Sequence, residues 1–67
     1  MGRKKQKELI DDVIKQLIEL RNGIHKLKTA EDFKDAYNIT QECRFKLTLL
    51  DGEFFEERVK RETVVIG

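Results

Sequence analysis

Very little in this chain could carry covalent or acid–base chemistry. It holds one cysteine, Cys43, one histidine, His25, and no serine. A nucleophile–base pair therefore reduces to Cys43 with His25, and no motif surrounds either residue. Adjacent carboxylates occur at Asp11-Asp12 and Glu56-Glu57, but neighbours on a helix point about 100° apart and do not converge on one substrate. One cysteine and one histidine also leave a structural zinc shell incomplete, and no glycine-rich phosphate loop is present. The sequence predicts a non-enzymatic protein without metal or cofactor. Cys43 reads as a small seam residue and His25 as a solvent-facing one.

The elements are more legible than the chemistry. Ile10, Val13, Leu17, Leu20, Ile24 and Leu27 recur at three-four spacing, with Asp11, Asp12, Lys15, Gln16, Glu19 and Arg21 between them. That period belongs to a helix that buries a narrow stripe against another helix. Ile14 and Ile18 widen the stripe beyond what one neighbour covers. The predicted first helix spans about 3–28. Asn22-Gly23 is its weak point, since Asn-Gly commonly ends helices, but Ile24 and Leu27 hold the phase beyond the glycine and favour continuation. The expected oligomer seam is Ile10, Val13, Ile14, Leu17, Ile18, Leu20 and Ile24.

Thr29 is suited to cap a second helix, with its hydroxyl accepting from the Asp32 amide and with Glu31 and Asp32 in the first turn. Phe33, Ala36, Cys43, Leu47, Leu50 and Phe54 then hold a second three-four phase. This helix is predicted over about 30–50, with an extension to 62 if it passes Asp51-Gly52. Glu56 with Lys60 and Glu57 with Arg61 have the favourable helical order. A strand reading competes, because Phe45, Leu47 and Leu49 alternate with polar residues and Asp-Gly is a hairpin turn. A two-residue turn there would set Thr48 opposite Phe55 and Leu47 opposite Glu56, which mismatches the faces. The tail 63–67 is β-branched and short, either frayed or extended.

Sixty-seven residues make one domain, and a core this small usually needs outside support. With disulfide and zinc excluded, self-association remains. The expected architecture is an all-α antiparallel helical hairpin, completed as a homodimeric helical bundle, with a short helical or extended C-terminal piece. Charged residues are 40% of the chain for a net charge of +1, so both signs interleave on solvated faces rather than forming the field of a dedicated nucleic-acid binder. No apolar run is long enough to span a bilayer, and a cytoplasmic location is expected.

Two surfaces have functional readings. An unidentified protein partner would be bound through a helix surface holding Arg44, Phe45, Lys46, Phe55, Arg58 and Val59, where aromatic and basic residues lie together. The alternative is nucleic acid. Arg3, Lys4, Lys5 and Lys7 are basic, and the segment Phe33 to Leu47 (FKDAYNITQECRFKL) resembles the helix-turn-helix of small DNA-binding regulators, with Asn38 at the turn and Thr40 as cap. The residues after it would then resemble the wing of excisionase-type proteins. That resemblance implies that Gln41, Arg44 and Lys46, with Glu42, face DNA. Glu53, Glu56 and Glu57 would sit badly near phosphates, which places this reading second. The sequence-level expectation is a small regulatory or inhibitor protein, of the kind found among compact phage or mobile-element products.

Overall fold

The protein is described by a computed structural model that covers residues 1–66, with side chains through residue 62. It is helical. The first helix, α1, spans Arg3–Gly23, a 3-10 turn follows over Ile24–Lys26, and the second helix, α2, spans Ala30–Ile66. The molecule is elongated, 57 × 20 × 16 Å, as expected when a helix of 37 residues rises about 1.5 Å per residue.

Gln6 Nε2 donates to Glu53 Oε1 at 3.0 Å and Gln16 Nε2 to Glu42 Oε2 at 2.6 Å. The two helices therefore run side by side in opposite directions. Their contact line follows strict three-four spacing. On α1 the buried and half-buried residues are Gln6, Leu9, Val13, Gln16, Leu20 and Gly23, continued by Leu27; on α2 they are Asp32, Ala36, Ile39, Cys43, Lys46, Leu50 and Glu53. Only Val13, Cys43 and Leu50 are buried among the described residues.

The bend between the helices has local causes. Gly23 has φ −99° and ψ 2°, outside the left-handed region, so it does not form a glycine C-cap. Helical winding instead tightens into the 3-10 turn, where Leu27 N donates to Ile24 O at 3.3 Å. The α-helix thus ends at Gly23 rather than running on to Lys28. Winding persists only to Lys26. At the start of α2, Asp32 N donates to Thr29 Oγ1 and Thr29 N donates to Asp32 Oδ2, both at 3.1 Å, and Lys28 N donates to the same carboxylate oxygen at 3.1 Å. This reciprocal pair is a capping box with aspartate in the third place, and it realises the cap read from Thr29.

Past that cap, α2 is unbroken through Asn38 and Gly52. The turn that a helix-turn-helix would place at Asn38 is not formed. The Thr40 hydroxyl donates back to Tyr37 O at 2.7 Å, a bond made within a continuing helix, so Thr40 caps nothing. Residues 44–59 form neither hairpin nor wing, and no strand occurs among the described residues. Beyond Gly52 the helix carries ion pairs at helical spacing, Arg61 Nη1 to Glu57 Oε2 at 2.6 Å and Arg58 Nε to Glu62 Oε1 at 2.8 Å, while Lys60 lies 3.8 Å from Glu57 rather than pairing with Glu56. The helical backbone reaches Ile66; Gly67 and the side chains of the tail 63–67 lie outside the described residues.

Candidate interaction surface

The centre of the contact line between the helices is polar. Gln16, flanked along α1 by Val13 and Leu20, uses both ends of its amide. Its Nε2 donates to Glu42, and its Oε1 accepts from Lys46 Nζ at 2.8 Å and from Cys43 Sγ at 3.8 Å. A polar residue at one seam position costs some stability and selects register, because sliding either helix by a turn would strand the amide against apolar side chains. Lys46 is therefore turned toward α1 and half-buried. It is not on the outer surface where the sequence placed it as a partner-binding residue.

A second polar contact closes the far end. Gly2 caps α1 without a side-chain bond and no acid occupies the first turn, although a helix N-terminus favours negative charge. Glu53 of α2 supplies it from across the seam, with Oε1 3.4 Å from the Met1 amino nitrogen and accepting from Gln6. Two carboxylates are held below their ordinary range: Asp32 by the amides of Thr29 and Lys28 and the Thr29 hydroxyl, and Glu57 by Arg61 and Lys60. Asp32 is half-buried at the helix start and Glu57 is exposed, and both shifts belong to helix ends and ion pairs rather than to a reactive centre. No group of three or more metal-ligating side chains exists among the described residues.

Of the seam read from the sequence, Val13 is buried and Leu20 half-buried against α2, whereas Ile10, Ile14, Leu17, Ile18 and Ile24 face outward. The inner line instead recruits Gln6, Leu9 and Gln16. The signal for them was present as a second three-four phase displaced by one residue, but two of its members are glutamines, and an apolar count passes over them. On α2, Phe45 and Phe55 are 65% and 61% exposed, and Leu47, Leu49, Phe54 and Val59 are exposed as well. Arg44 and Arg58 are exposed beside them.

Arg3, Lys4, Lys5 and Lys7 are exposed at the start of α1, spread around the helix by its 100° step. Gln41, Arg44 and Lys46 lie opposite the middle of α1, as the Lys46–Gln16 bond fixes. The two basic groups are thus separate surfaces. No helix among the described residues is long and apolar enough to cross a membrane. Compared with protein-family models, curated proteins and solved structures, the chain matches none.

Proposed function

We propose that this chain is a non-enzymatic regulatory or inhibitor protein that works by association: an antiparallel helical hairpin that pairs with a copy of itself as a helical bundle and presents the outer side of α2 to a protein partner. The observation that carries this reading is the imbalance between three buried apolar residues and the many large ones left in water, among them Ile10, Leu17, Phe33, Phe45, Leu47, Phe54 and Phe55. Apolar area of that extent on so small a chain marks interaction surface. Phe45, Phe55, Arg58 and Val59 are the residues proposed to meet the partner, the aromatic rings as anchors and Arg58 beside them.

The test is capture of a partner by the intact chain, compared with the Phe45→Ala and Phe55→Ala variants. The proposal expects a protein that is retained in high salt and lost with either variant, while melting changes by no more than about 0.5 kcal/mol. Capture that disappears on nuclease treatment, with affinity falling steeply between about 50 and 200 mM salt, would favour nucleic acid instead.

A further inference from the structure

The outward apolar residues are ordered. Ile10, Leu17 and Ile24 recur every seventh residue on α1, and Phe33, Leu47 and Phe54 hold the matching phase on α2, with Thr40 in the remaining place. Each immediately follows a residue of the inner contact line, and on two antiparallel helices that position falls on one shared edge. The side chains agree. A shallow depression of about 520 Å³ has Leu17 on one wall and Thr40, Arg44 and Leu47 on the other. Further along the same edge, Arg3 shares a depression with Phe54 and Arg61. The opposite edge brings Glu19 next to Asp35, in a phase that also holds Asp12, Glu42 and Glu56. That phase also holds Lys15, Phe45 and Leu49, so the first edge carries the longer apolar run and the second most of the carboxylates.

We infer that the first edge seats a second copy of this chain, face to face and pointing the same way, with α1 of each copy lying on α2 of the other. The inference rests on the self-association proposed above and adds the face and the orientation. From Phe33 to Phe54 the edge runs about 32 Å, and with the 20 Å width of the molecule it offers on the order of 600 Å² per copy in flat projection, close to the roughly 800 Å² per partner of a stable interface. A two-fold pair must be complementary to itself, and the register gives the complement. Gln6 lies opposite Glu53 and Gln16 by Cys43, so in the same-direction arrangement Phe33 meets Ile24 of the second copy, Leu47 meets its Ile10 and Ile14, and Asp51 meets its Lys7. Reversing one copy about the centre of the patch would set Phe33 against Phe54, but it would also bring Ile10 against Arg21, Ile24 against Lys7 and Arg44 against the Arg44 of the second copy. Apolar and charge matching both select the first arrangement.

Cysteine pairing on the Cys43→Ala background tests face and orientation together. A mixture of Leu17→Cys and Thr40→Cys chains is expected to give a disulfide-linked dimer under mild oxidation, since cysteines facing across a bundle come within the roughly 4.4–6.8 Å Cα separation that the bond needs. Leu17→Cys alone is expected to stay unlinked. Efficient linkage of Leu17→Cys with itself would overturn the orientation, and no linkage in a chain that sediments as a dimer would overturn the face. A monomer in sedimentation would overturn the self-association itself. If Cys43→Ala does not fold, Leu17→Glu and Leu49→Glu in the native chain decide. Both sites are exposed, on opposite edges. Weakening of the dimer on the order of tenfold or more by Leu17→Glu alone supports the face, and the reverse pattern overturns it.

Discussion

Lys46 Nζ stands 2.8 Å from Gln16 Oε1 across the line where α1 and α2 meet. Half-buried lysine is tolerated there because the amide oxygen accepts a hydrogen bond from its ammonium, while the Gln16 amide nitrogen is occupied by Glu42. Gln16→Leu removes the acceptor and leaves the ammonium facing an apolar patch. The expected cost is about 1–3 kcal/mol, the usual penalty for a stranded polar group. Adding Lys46→Met should recover most of it, since replacing both partners restores an apolar line. Chemical melts of the two single variants and the double variant check this, and simple additivity would show that the pair is not coupled.

Gly52 is exposed within α2, and a Cβ added there meets nothing within 4 Å. Gly52→Ala should therefore stabilise by about 1 kcal/mol. Gly23 also has open space at its Cβ and a negative φ, so Gly23→Ala should stabilise as well, by up to about 1 kcal/mol. A loss of melting temperature in either variant would contradict the backbone geometry described.

The capping box at the start of α2 makes a pH prediction with a definite sign. The folded-state value of Asp32 lies below its ordinary 3.8, so the carboxylate's contribution is fully present above that value and is lost as pH falls through the lower, folded one. Stability should drop on acidification below about pH 4, and less steeply in Asp32→Asn. Thr29→Ala should cost about 1 kcal/mol at neutral pH. Helicity followed by circular dichroism against pH measures both.

Burial separates two truncations that look alike in the sequence. Leu50 is 3% exposed and Leu17 is 46% exposed. Leu50→Ala should cost about 2–5 kcal/mol at any protein concentration. Leu17→Ala should show a loss that depends on concentration if, as proposed, its contacts are made with the second copy. Equal, concentration-independent losses would place Leu17 in the core of the single chain.

The helical class was legible from spacing alone, and so was the Thr29–Asp32 cap, because both depend on neighbours within one turn. The choice of face was not. Val13 and Leu20 lie on the line that α2 covers, whereas Ile10, Leu17 and Ile24 sit one position over from it, and a wide apolar stripe does not state which half meets which neighbour. Gln6 and Gln16 occupy inner positions that an apolar rule leaves empty. The end of α1 at Gly23 and the passage of α2 through Gly52 show the same limit from the other side. Two glycines of similar local character end differently: α2 runs on through Gly52, whereas past Gly23 the chain must turn back toward Thr29.

The central claim is that this chain completes itself by pairing, and sedimentation equilibrium at tens of micromolar tests it most directly. The account predicts a particle of about twice the 7.9 kDa chain mass, dissociating on dilution as a reversible dimer does. A single ideal species at 7.9 kDa across that concentration range would contradict it.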